Sequence, residues 1–141
     1  MGLEKLLAGR KTAIIKKWFE KIVDTYPSDT SKFLKRQKDP FANPVGSTTK
    51  QSLEALFDEL LKEKIDTSAA ASFIDPIVRI RAVQTLFSPS QAVSFPYFLK
   101  KIIRENLHSE LKDKESLNQL LAFEIKIDEL NLIAFDIYVQ H

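Results

Sequence analysis

The chain contains no cysteine, which excludes disulfides, thiolate metal sites and thiol catalysis. It has two histidines, His108 and His141, the second being the last residue. Zinc is poorly served by two histidines without thiolates. An axial ligand to haem would have to be His108, whose polar neighbours Asn106-Leu107-His108-Ser109-Glu110 suit a helix end at the surface. There is no P-loop, Gly-x-Gly-x-x-Gly, His-Glu-x-x-His or Gly-x-Ser-x-Gly motif, and no serine has a histidine partner in view. Only three glycines occur, and runs of alternating Val, Ile and Thr are missing, so strands are not expected. No apolar stretch approaches transmembrane length, and Met1-Gly2-Leu3-Glu4-Lys5-Leu6-Leu7 lacks the apolar core of a signal peptide. Gly2 is followed by Leu6 where myristoylation requires Ser or Thr. These absences lead to an expectation of a cytoplasmic protein that is not an enzyme, with no metal, no cofactor, no catalytic residue and no membrane contact.

What is present is enough apolar material for one core. Of 141 residues, 44% are hydrophobic and ten are phenylalanine, which argues for one globular domain spanning residues 1–141. The formal charge of +2 is too nearly balanced to draw nucleic acid. The cluster Lys35, Arg36, Lys38 reads as solvated surface, with a phosphate contact as the weaker alternative.

The apolar residues recur at helical spacing. Leu3, Leu6, Leu7, Ile14, Trp18 and Ile22 predict a helix to about Thr25, ended by Tyr26-Pro27. A short helix over Ser28–Arg36 follows, then an ordered loop through Asp39-Pro40 to Asn43-Pro44. That last pair reads as a cap and first-turn proline, opening a helix to about Lys64 with Leu53, Leu56, Phe57 and Leu60 inward. Gly46, in its first turns, either permits a close approach or is a tolerated irregularity. Asp66 or Thr67 caps a short turn through Ala69-Ala70-Ala71. Asp75-Pro76 then reads as the start of a central helix, and Ser88-Pro89-Ser90-Gln91 as a capping box opening another to about Leu107, kinked at Pro96.

Charges inside apolar stripes mark the candidate sites. On the central helix Val83 and Leu86 flank Arg79, while Arg81 points toward Gln84 and Thr85. The last helix, starting between Ser109 and Ser116, has two apolar stripes. One is Leu117, Leu121, Ile125, Leu132, Phe135 and Val139, with Asp128 in its middle. The other is Phe123, Ile127, Leu130, Ala134, Ile137 and Tyr138. The first stripe is expected to face the core, so Asp128 should be at least partly buried and paired with Arg79 or, second, Arg81. Arg79 also has Asp75 four residues earlier as a partner. The alternative for Arg79, Arg81 and Asp128 together is a small-ligand pocket. The second stripe is then left over as the self-association surface of a homodimer.

Several of these blocks, in this order, resemble the N-terminal domain of RsbRD-type RsbT co-antagonist proteins. They are Trp18 to Tyr26-Pro27, Phe33 to Gly46, Ile77 to Ala92, and Ile127 to Tyr138. The resemblance implies an all-α domain, a single globin-like bundle of about five to seven helices without haem. It also implies a regulatory or sensor role in bacterial signalling, exerted through a protein partner. In co-antagonist proteins such a domain precedes a STAS domain and is thought to modulate stressosome signalling. This sequence stops at His141 before any STAS domain, so the expectation is a stand-alone sensor or adaptor.

Overall fold

A computed structural model describes residues 2–141. Among these residues all regular structure is helical: α1 (Gly2–Gly9), α2 (Lys11–Val23), α3 (Ser28–Arg36), α4 (Pro44–Leu60), α5 (Thr67–Ala82), α6 (Pro89–Val93), α7 (Phe95–Asn106) and α8 (Lys114–Gln140), with a 3-10 turn at His108–Glu110. The all-α expectation holds, with eight α-helices where five to seven were expected. The extra helices come from breaks inside segments read as continuous. One lies at Arg10, whose backbone leaves helical geometry at φ −113° and ψ 12°. There the guanidinium bonds the Asn106 carbonyl at 2.7 Å and Glu110, so the bend ties the amino-terminal helices to the end of α7. The other lies at Ser94, where Pro96 sits in the first turn of α7 and needs no intrahelical donor. Pro96 therefore starts a helix and does not kink one.

One start and one end were misplaced. Asp75-Pro76 lies inside α5. Asp66 has already capped that helix by accepting from the Ser68 and Ala69 amides at 3.0 and 3.2 Å. The buried row Ala70, Ile74, Ile77, Val78 then carries it past the missing N–H of Pro76. In the same way α4 ends at Leu60, short of Lys64. Its buried Glu59 accepts from Lys62 and from the Asp66 amide, each at 3.0 Å, which turns the chain directly into α5.

The core is one cluster around α8. That helix packs against α5 and α7 most extensively, and α2 closes the far side against α4 and α7. Trp18, fully buried, donates from Nε1 to the Phe95 carbonyl at 2.7 Å, which fixes α2 on the start of α7. The face of α8 turned inward is Leu120, Phe123, Ile127, Leu130, Ala134 and Ile137, with Glu124 buried at its edge. The row expected inside is outside: Leu117, Leu121, Ile125, Leu132, Phe135 and Val139 are 45–69% exposed. The physical reason is the charge. The inward side buries one carboxylate, Glu124, which Arg104 pairs through two nitrogens, whereas burying the other row would desolvate Asp128, which has a single contact with Lys100.

Gly46 proves to be a packing requirement. Asn43, buried to 3% exposure, caps α4 by accepting from the Gly46 amide at 2.8 Å, and its side-chain amide donates to the Leu34 and Gln37 carbonyls at 3.0 Å each. A Cβ on Gly46 would sit 2.8 Å from the Asn43 carboxamide carbon and oxygen. Gly46→Ala should therefore break the same bonds as Asn43→Ala, each costing about 1–2 kcal/mol. Urea unfolding of both and of the double variant should show the double costing much less than their sum.

Candidate functional site

The three charges read as a cluster are not brought together. Arg79 is exposed and bonds Asp75 at 2.9 Å, one turn back on α5. Asp128 is also exposed and accepts from Lys100 of α7 at 3.1 Å. The expected pairing of Asp128 with an arginine of the central helix is thus absent, since Asp128 lies on the solvent side of α8. Arg81 alone is buried, at 2% exposure. Asp75 has a second partner in His141, 3.2 Å away, so the last residue is held against α5.

Arg81 joins three elements. Its Nη2 donates to the Thr25 hydroxyl at 3.1 Å and to the Gln91 carbonyl at 2.9 Å. The Phe87 ring covers the guanidinium at 4.0 Å and the Tyr26 ring lies 5.7 Å away. Those rings meet edge to face with centroids 5.0 Å apart. Burial pushes the guanidinium below its usual range, partly offset by Tyr26. Two open grooves on the surface lie elsewhere. One runs along α1 by Gly2, Leu6 and Arg10, the other along α3 by Lys32, Phe33 and Arg36, and none of the three expected residues lines either.

The outer face of α8 is the larger feature. From Leu121 to Val139 its residues follow steps of four and three: Leu121, Ile125, Asp128, Leu132, Phe135, Val139. That is the spacing of a coiled-coil seam with Asp128 as its single charge. The stripe from Leu117 to Val139 is about 33 Å long at the α-helical rise. One flank is basic. Arg104 of α7 bonds Glu124 through two nitrogens at 2.6 and 2.8 Å, which raises the Arg104 pKa, and Lys100 lies beside it on the same helix. The other flank carries the exposed acids Glu129 and Asp136.

The self-association residues expected on α8 need correcting. Phe123, Ile127, Leu130, Ala134 and Ile137 are buried in the core and Tyr138 packs partly against it, so they are closed to a partner. The two stripes exchange roles. The signal that identifies the outward one, a lone Asp in an apolar row, was present in the sequence.

A family model supplies the relation to known proteins. The chain matches the RsbT co-antagonist protein rsbRD N-terminal domain over residues 12–141. It belongs to that family. No curated protein and no solved structure matches it. The family is one of regulatory signalling domains. Among the described residues no cluster of His, Cys, Asp and Glu fit to hold a metal ion occurs, and no helix is long and apolar enough to cross a membrane.

The exposure of Asp128 gives a measurable consequence. Asp128→Asn should change the unfolding free energy by no more than about 1 kcal/mol, the range of exposed ion pairs. A double-mutant cycle in urea should find coupling of Asp128 with Lys100 and none with Arg79 or Arg81. Coupling to either arginine would contradict the arrangement described.

Proposed function

We propose that this domain is a non-enzymatic regulatory and sensor module of bacterial signalling. It acts through protein–protein contacts and self-associates through the outer face of α8. The observation that carries the reading is the row Leu117, Leu121, Ile125, Leu132, Phe135 and Val139, all large, apolar and at least 45% exposed. A continuous stripe of that length is unusual on a monomer and typical of a contact surface. The family supports a partner in a signalling pathway, and the globin-like arrangement expected for such modules belongs to the same proposal. Neither nucleic acid nor membrane is needed by it.

A second copy of the chain suits the flanks of this stripe. With two α8 helices parallel about a two-fold axis, the acidic edge of Glu129 and Asp136 meets the partner's cations Lys100 and Arg104, shared with their own Asp128 and Glu124. An antiparallel pair sets like charges together. Asp128 then lies near its symmetry mate, but each carboxylate is drawn aside by its own Lys100.

Sedimentation equilibrium tests the reading. The wild-type chain should be a dimer, and Ile125→Glu or Leu132→Glu should make it monomeric with its helical circular dichroism retained. In a chain without cysteine, Phe135→Cys gives a single thiol that should oxidise to a disulfide-linked dimer if the helices are parallel. A wild type that is monomeric at its highest soluble concentration would overturn the self-association.

A further inference from the structure

Arg81 is the arginine buried among the described residues, and only two of the five N–H donors of a guanidinium are used. The Nη2 group makes two hydrogen bonds, whereas Nε and Nη1 are fully buried with no acceptor. No carboxylate among the described residues pairs with it. Buried guanidinium groups are normally satisfied because each desolvated donor left open is costly, and an apolar side chain would fill the space more cheaply. Phe87 does not remove this imbalance. It covers the face of the guanidinium plane, and donors lie in that plane, directed at its edges.

The segment beside these donors is held by few backbone bonds. Between α5 and α6 the chain turns through Val83–Phe87, held by the Gln84 amide on the Arg81 carbonyl at 3.2 Å and the Phe87 amide on the Gln84 carbonyl at 3.3 Å. Val83 is 75% and Leu86 51% exposed, and Phe87 is the buried apolar side chain of the turn. Gln84 adds a second unpaired polar atom, Oε1, to the same turn.

We propose that Arg81 is the cationic anchor of a small-oxyanion site, taking a carboxylate or phosphate group on its free Nε–H and Nη1–H donors, with the Val83–Phe87 turn as its entrance and Phe87 as its plug. The oxyanion supplies the charge that no side chain supplies. The rings of Phe87 and Tyr26 exclude water around it, which strengthens a charge-assisted hydrogen bond. Binding brings no bond making or breaking, so the site serves detection. This inference goes beyond the self-association of α8 and does not depend on it, so sedimentation and ligand binding fail or succeed separately.

The experiment is thermal unfolding and titration calorimetry with sodium phosphate and sodium acetate, each against sodium chloride at matched ionic strength. At least one oxyanion should raise Tm saturably, and which one does so separates a phosphate source from a carboxylate source. Arg81→Met should weaken binding about tenfold or more, the scale of a lost hydrogen bond to a charged group. Arg36→Ala, on the surface of α3, should bind as wild type does. Should Arg81→Met not fold, Phe87→Ala keeps the anchor and removes the plug. Phenylglyoxal should then label Arg81, and the oxyanion should slow that labelling as read by mass spectrometry. The proposal is overturned if neither oxyanion exceeds chloride, if the effect survives in folded Arg81→Met, or if labelling of Arg81 in Phe87→Ala is indifferent to the oxyanion.

Discussion

A 27-residue helix with apolar rows on two faces can bury only one of them inside a chain of this size, and the architecture follows from which one it buries. Choosing the row whose neighbouring carboxylate, Glu124, is paired by Arg104 sets Ala134 and Leu130 at the centre of the domain. α5 and α7 then lie along that face, with α6, α1 and α4 in smaller contacts. The same choice leaves the heptad-spaced row outside. Stability and exposure of the candidate surface therefore follow from the same choice, which leaves Asp128 solvated.

The helices are oriented by a few polar ties more than by loops. Arg10 holds the bend between α1 and α2 to the end of α7. Asn43 binds the end of α3 to the start of α4, and Glu59 binds the end of α4 to the start of α5. Lys126 of α8 donates to the carbonyls of Leu60 and Lys62 at 3.3 and 2.6 Å, where free carbonyls at the end of α4 favour a cation. Asn131 of α8 donates to the Val93 carbonyl at the end of α6. Each tie leaves its buried groups paired. Arg81 departs from that pattern, which is why it marks a site and the others mark joints.

Local chemistry made the elements legible wherever a cap decided them. Ser88 and Gln91 form the reciprocal capping box read from their spacing, at 3.3 and 2.8 Å. Asn43-Pro44 opens α4, and α3 spans Ser28–Arg36. Boundaries failed at Arg10, where no local signal announces the distant partners Asn106 and Glu110, and at Glu59, whose buried carboxylate ends α4 early by bonding Lys62 and the Asp66 amide. Pro76 misled for the converse reason. A proline stops a helix in isolation, but an apolar row buried on both sides of it supplies what the lost hydrogen bond does not.

The two arginines of the central block show how a helical wheel goes astray when carried past the end of its helix. Arg79 was assigned to an apolar side by Val83 and Leu86. α5 ends at Ala82, so neither continues its face, and both are exposed. Counted only within the helix, the buried row is Ala70, Ile74, Ile77, Val78, and one turn beyond Ile77 and Val78 comes Arg81. Arg79 falls outside that row and finds Asp75 at the surface. The arginine at the end of an apolar row is carried inward by its neighbours, and the turn after Ala82 folds Phe87 over it. Its position was therefore written in the period of α5, once the helix was given its true end. The missing carboxylate was not, because that is a property of everything packed around the residue and of no single stretch of chain.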